Sequence, residues 1–193
     1  MIRSILAPTS AAAVANFFLE LELNEASVVP LIDQTKIHKL VYNAHAWWLA
    51  YDRGPLFDED VEAWADGPII KDLYCQFSAC GRNPIGKKRA RTFVNTAIGG
   101  VDFRFKVPPL PTTNIQKFLN TIWETHKHIP QTVLSESTQM PGEPWAVVKQ
   151  KSRTLKNKPT IPNHLIRDIF QQKISGANQR KNQGSKMTKY KNG

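Results

Sequence analysis

From Asp33 to Tyr51 the hydrophobic residues Ile37, Leu40, Val41, Ala44, Trp48 and Tyr51 recur at helical spacing, one apolar stripe over about four turns. Asp33 is a cap for that helix, and Asp52-Arg53-Gly54-Pro55 ends it. Its length and continuity predict a central helix at about 33–52. Ahead of it, Thr9 and Ser10 can cap Ala11–Leu23, where Val14, Phe17, Phe18 and Leu21 share a face and Asn24 is a stop. Downstream, Thr113 caps a second strongly periodic helix carrying Ile115, Phe118, Leu119, Ile122 and Trp123, and Pro130 interrupts it. Thr132 to Glu136, the segment from Pro144-Trp145, and Leu165 to Phe170 behind Asn163 read as shorter helices.

Between these helices the pattern changes period. Leu56 to Ala65 reads as two short extended pieces around the turn Asp58-Glu59-Asp60, with Val61, Ala63 and Ala65 alternating against Glu62 and Trp64. Asp66-Gly67-Pro68 then reads as a turn with proline in the first turn of a helix carrying Ile70, Leu73, Tyr74 and Phe77. In Arg82 to Lys106, the alternation of Val101, Phe103, Phe105 and Val107 suits an amphipathic strand that pairs with Thr92 to Thr96. The expected architecture is therefore mainly α. It is a compact helical domain around a central amphipathic helix, with a small β element at about 55–66 and a second at about 91–107. One domain is expected over 1–175, with a basic insertion at 82–107. A tail over 176–193, rich in Asn, Gln, Lys, Gly and Ser, has too little apolar surface to offset ordering entropy and is expected to be disordered.

Composition sharpens this picture. Of the 193 residues, 41% are hydrophobic and 22% charged, which removes collagen-like and fully disordered classes. The net charge of +10 is unevenly placed: residues 1–148 carry 14 Lys and Arg against 15 Asp and Glu, and residues 149–193 carry 12 against one. The body is near neutral, so a uniformly basic nucleic-acid-coating domain is excluded. Cys75 and Cys80 are too few for a disulfide scaffold or a four-ligand zinc site, and read as reduced thiols of a cytoplasmic protein. No run approaches the length of a membrane span, and Pro8, Thr9, Ser10 and Asn16 interrupt the one uncharged stretch near the N-terminus that could pass for a secretory signal.

Catalytic patterns are missing: there is no glycine-rich phosphate loop, GxSxG, HExxH or CxxC. His38 and His45 lie seven apart on the central helix and read as hydrogen-bonded core histidines rather than metal ligands, so neither a cofactor nor a metal is expected. Asp58, Glu59, Asp60 and Glu62 cluster, three of them at a turn where water screens them; an acidic patch for a basic partner is the functional alternative. Trp47 and Trp48 are adjacent and differ by about 100° around a helix, which sets Trp47 at the margin of the core. Trp64 shares the polar face of its strand with Glu62, and exposed tryptophan favours binding hot spots. Lys87, Lys88, Arg89 and Arg91 could neutralise phosphates, although only Phe93 and Tyr190 stand near the basic segments as stacking partners.

The order of motifs then resembles a known family. Thr35-Lys36-Ile37-His38-Lys39-Leu40-Val41-Tyr42-Asn43-Ala44-His45-Ala46-Trp47, Gly54-Pro55-Leu56-Phe57-Asp58-Glu59, Val61-Glu62-Ala63-Trp64-Ala65-Asp66-Gly67-Pro68 and Leu73-Tyr74 are similar to the signature of Panacea-domain proteins, the SocA-like antitoxins and phage-associated GepA-like proteins. Ala13 to Phe18, Pro144-Trp145 and Ile161 to Phe170 extend the likeness to roughly residues 10–171. Where the family often carries Thr-His before Pro-Trp this chain has Thr138-Gln139, and Lys71 stands where a second proline is common. The resemblance implies a mostly helical, non-catalytic neutraliser of a cognate protein toxin, encoded beside it and common in prophages. Adaptors that deliver the toxin to a AAA+ protease are a variant of that role. Trp47, Trp64 and Tyr74 are then the expected anchors, with Asp58, Glu59 and Glu62 facing toxin Lys or Arg. His45, Gly67, Pro68, Pro144 and Trp145 are expected to hold the shape. A nucleic-acid-binding autorepressor acting through Lys87, Lys88, Arg89, Arg91 and the tail is the rival reading; no membrane partner is expected.

Overall fold

The computed structural model describes residues 7–26, 28, 31–95, 103–152 and 154–189, with residues 94, 95, 103 and 178–189 as backbone only. Helix α1 spans Ala11–Leu23, and its N-cap Ser10 hydroxyl accepts the Ala13 N–H at 3.2 Å. Helix α2 spans Gln34–Ala50, capped by Asp33, whose Oδ1 accepts the Lys36 N–H at 2.7 Å. The central-helix expectation holds, with one boundary effect. Tyr51, assigned to the apolar stripe, follows the last helical turn and is 55% exposed.

A short β-hairpin follows, and here the structure corrects the sequence reading. Strand β1 (Val61–Trp64) pairs antiparallel with β2 (Gly67–Ile70), so Trp64 faces Gly67 and Val61 faces Ile70. Residues 67–70 are thus a strand rather than the opening of a helix, and residues 55–60 are not a strand. The reason is local: a two-residue turn at Ala65-Asp66 needs a left-handed residue after it, and Gly67 supplies it at φ 106°. Pro68 is tolerated because this two-stranded sheet leaves β2 an open edge. Helix α3 then begins at Lys71 and runs to Phe77, with a 3-10 turn at Ser78–Cys80.

The hairpin expected within the basic segment 82–107 is present. Strand β3 (Thr92–Asn95) pairs antiparallel with β4 (Phe103–Lys106), Phe93 opposite Phe105; Thr96 and Val101 lie outside the described residues. Helix α4 (Thr113–His126) has Thr112 rather than Thr113 as its N-cap and buries Ile115, Leu119, Ile122 and Trp123. Helices α5 (Gln131–Ser137) and α6 (Pro144–Lys151) follow. Helix α7 runs from Asn163 to Lys189, so the backbone past Gly176, where composition predicts disorder, is helical. Propagating an existing helix adds one hydrogen bond per residue fixed and needs no new nucleus. The last α7 side chain packed on the core, among those described, is Ile174.

Two features position the surface. Helix α2 is buried around nearly its whole circumference, with fourteen of its seventeen residues inside, so α1, α3, α4, α5, α7 and β2 all pack on it. The segment ahead of α7 also lies along β1: the Ala63 N–H donates to Pro159 O at 2.8 Å, and the Ile161 N–H donates to Val61 O at 2.7 Å. Replacing the α2 cap, Asp33→Ala, is expected to cost about 1 kcal/mol, because the Lys36 N–H loses its acceptor inside the protein. A lower urea midpoint with an unchanged m-value is the expected reading.

Candidate functional site

The site is built outward from α2, where buried Lys36, Lys39 and His45 each hold a different element, while His38, expected to be a hydrogen-bonded core histidine, is buried with neither ring nitrogen hydrogen-bonded among the described residues. The Lys39 ammonium donates to Asp66 O at 2.9 Å and Pro68 O at 3.2 Å, gripping the β1–β2 turn from below. A Cβ on Gly67 would stand 2.7 Å from that nitrogen and 3.2 Å from Thr138 Oγ1. Burial pushes the Lys39 pKa down to about 7. Lys36 donates to Lys127 O at 2.7 Å, at the carbonyl end of α4, where a cation suits the helix dipole. Burial lowers Lys36 to about 8, with Glu22 and Asp33 opposing the shift. The His45 Nε2 lies 2.9 Å from Asn163 Oδ1 at the start of α7, and its ring stacks on Phe57 at 4.2 Å. Burial depresses His45 to about 4 and His38 to about 3, so both are neutral imidazoles of the interior. Among the described residues, no group of three His, Cys, Asp or Glu is arranged to hold a metal ion.

Above the turn held by Lys39 stands an aromatic stack. Trp64 is half-buried; its indole N–H donates to Glu62 Oε2 at 2.7 Å, and its carbonyl accepts the Trp145 indole N–H at 2.7 Å. Lys158 sets its ammonium 3.5 Å from the Trp64 ring centroid, while Tyr74 of α3 lies 4.6 Å away. A cation over the indole face adds electrostatic attraction to packing. Lys158 adopts φ 45°, a left-handed conformation uncommon outside glycine, in the turn closed by its N–H to Leu155 O. Tyr74 is the member that reaches solvent, at 36% exposure. Pro144 occupies the first turn of α6 and so aims Trp145 inward.

The acidic candidates divide. Glu59 Oε1 accepts the Ala11 N–H at 3.0 Å and Asp58 Oδ1 accepts the Ala7 N–H at 3.3 Å, so both tie down the entry to α1. Burial raises the Glu59 carboxyl above its usual range. Glu62 stays with Trp64, beside a shallow cleft that also takes in Asp60, Lys71 and Asp72.

Trp47 belongs to another face. Its ring meets Phe170 of α7 edge-on at 5.0 Å, and it lines a groove of about 620 Å³ with Tyr51, Arg53 and Phe118. The Arg53 guanidinium lies 4.7 Å from the Trp48 ring centroid at that groove's end. The basic strip is on yet another surface. Asn16 clamps it at Ala90, donating to Ala90 O at 2.9 Å and accepting the Ala90 N–H at 2.7 Å. Lys87, Lys88 and Arg91 are exposed, whereas Arg89 is half-buried and donates to Gly86 O and Lys88 O.

Lys39, Asn163 and Lys158 are the site residues that sequence reasoning missed. Asn163 was legible only as the start of a helix, and nothing local separates the buried ammonium of Lys39 from the exposed one of Lys158.

The family model for the SocA-like antitoxin, Panacea domain, matches residues 37–146, which takes in most of α2, both hairpins, α3 to α5 and the start of α6. No curated protein and no solved structure matches the chain.

Two outcomes are expected. Gly67→Ala, which forces a side chain onto φ 106° and against the Lys39 ammonium, is expected to lose about 1–3 kcal/mol in urea unfolding. The second follows from the histidines. Unfolded, both titrate near 6.5; folded, they refuse the proton, so below that pH the unfolded state binds more protons and stability falls toward about pH 4. The slope reaches roughly 1.4 kcal/mol per pH unit for each imidazole, offset near pH 4.5 by the raised carboxyls of Glu22 and Glu59. The urea midpoint should therefore drop between about pH 6.5 and pH 5, and drop less in His45→Gln, whose amide can keep the Asn163 bond.

Proposed function

The chain belongs to the SocA-like antitoxin family that carries the Panacea domain, and from that premise we propose that it neutralises a cognate protein toxin by binding it directly, with no bond made or broken. The family match over 37–146 is the observation that carries this reading. It spans the scaffold that holds Tyr74 and Trp64, the exposed end and the locked base of one aromatic stack. No helix among the described residues is long and apolar enough to cross a membrane.

Tyr74 is the central anchor: a large ring whose support is fixed before the partner arrives, so little side-chain entropy is lost on docking. Glu62 at its edge attracts a basic residue of the toxin. Trp47, with Tyr51 in the α2–α4 groove, is a second contact. Asp58 and Glu59 act indirectly, by holding α1 in place through backbone N–H groups. A stable grip needs roughly 1,600 Å² of total buried surface, well beyond one stack, so neighbouring side chains must share in it.

Co-expression with the product of the adjacent gene tests the reading. That product is expected to arrest growth alone, to be tolerated with this chain, and to copurify with it. Tyr74→Ala should weaken the complex about tenfold or more while leaving the melting temperature in place, whereas Asp58→Ala should leave affinity within about twofold. A harmless neighbour, or one that is not rescued, defeats the proposal. Rescue that coincides with disappearance of the toxin, and is lost when a AAA+ protease is deleted, replaces direct neutralisation with adaptor delivery.

A further inference from the structure

The basic insertion carries a surface that antitoxin binding through Tyr74 and Trp47 does not use. In the β3–β4 pair Phe93 stands opposite Phe105, the ring centroids are 5.0 Å apart, and the two rings are 56% and 64% exposed. They line a cleft of about 660 Å³ whose other wall includes Gln76 and Arg91. Gln76 and Arg91 also line the next cleft, of about 500 Å³, together with Lys87, Lys88 and Arg89. The two clefts adjoin at Gln76 and Arg91, where the Arg91 N–H donates to Gln76 Oε1 at 2.5 Å, and together they make a trough that is cationic at one end and aromatic at the other. We propose that this trough binds single-stranded nucleic acid, with phosphates on Lys87, Lys88 and Arg91 and bases stacked on Phe93 and Phe105.

Three observations converge on that occupant. Charge comes first: the cations crowd within five residues and face solvent, and an anionic polymer relieves their mutual repulsion. The second is the aromatic pair. A two-stranded hairpin gains little by leaving two phenylalanines in water, while base stacking on an exposed ring is favourable and tolerant of sequence. The third is preparation. Asn16 pins Ala90 by two hydrogen bonds and the Ile85 N–H donates to Ile32 O, so the loop's shape is set from the interior. Glu59 and Asp72 line the aromatic cleft as well. Their carboxylates repel phosphate from that end and leave it to bases, whose exocyclic amino groups can donate to them.

The test uses the full chain and fluorescein-labelled, mixed-sequence single strands of about a dozen nucleotides, as RNA and as DNA, followed by anisotropy over a salt series. Binding is expected to weaken with salt at a log–log slope of roughly −2 to −3. The double replacement Phe93→Leu with Phe105→Leu keeps the hairpin's bulk but removes the π faces; it should weaken binding about tenfold or more with an unchanged slope. Joint replacement of Lys87, Lys88 and Arg91 by Gln should shallow the slope by about two. A preference for RNA, for DNA, or for neither would each support the site and identify the sugar it accepts. Undiminished binding in the leucine pair would assign the interaction to the basic C-terminal segment and overturn the proposal. So would equal affinity for a duplex of the same length, or capture of an acidic peptide in place of either strand. None of these results bears on toxin neutralisation, which is read by growth rescue.

Discussion

A polar group taken into the interior is costly unless it finds a partner there, and on α2 Lys36, Lys39 and His45 find theirs in three different elements. The helix is enclosed by its neighbours, yet it carries two lysines and two histidines. Lys36 reaches the last carbonyls of α4, Lys39 the carbonyls of the β1–β2 turn, and His45 the amide of Asn163 at the head of α7. Unpaired, such a group costs more than the bond gains when made. The helix therefore specifies which element sits where, in a way that apolar packing alone, being non-directional, does not. The rest of the molecule hangs from these three attachments.

Surface character follows from the same frame. Helix α3 is a ridge between two faces: Tyr74 leans over the indole of Trp64, while Gln76 turns to the basic trough. One side presents Trp64 and Tyr74 between Glu62 and Lys158, the other Phe93 and Phe105 beside a strip of exposed cations. A single short helix thus separates two chemistries, and both depend on rings left only partly covered.

How far the sequence revealed this depends on what each signal measures. Hydrophobic spacing found α1, α2 and α4 almost to the residue, because burial of an apolar stripe is what that spacing records. It did not reveal that the polar side of α2 is also inside. Lys36 and Lys39 have long stems that pack like hydrocarbons while their heads find carbonyls many residues away, and no local pattern marks such partners. The β1–β2 hairpin was half legible: alternation marked β1, but Pro68 pointed to a helix start, and only the left-handed Gly67 after a two-residue turn makes 67–70 a strand. At the surface, adjacency gave away Trp47 as marginal and alternation placed Trp64 beside Glu62. Lys158 over the indole, and Phe105 beside Phe93, come from tertiary structure and strand register that spacing does not encode. Asp58 and Glu59 looked like a solvated tip because their acceptor role toward Ala7 and Ala11 bridges about fifty residues.

The strip from Pro159 to Ile161 that lies along β1 has a consequence for biosynthesis. The sides of Trp64 are completed from Trp145 and Lys158, and His45 waits for Asn163. Contacts that far apart in the chain close late, after the loop entropy between them has been lost. A ribosome that stalls before α7 emerges releases a product with its central helix bared and the surroundings of Trp64 and His45 unfinished. Assembly of these surroundings is thereby coupled to the synthesis of α7, and copies that stop short of it are substrates for quality control rather than weak versions of the whole.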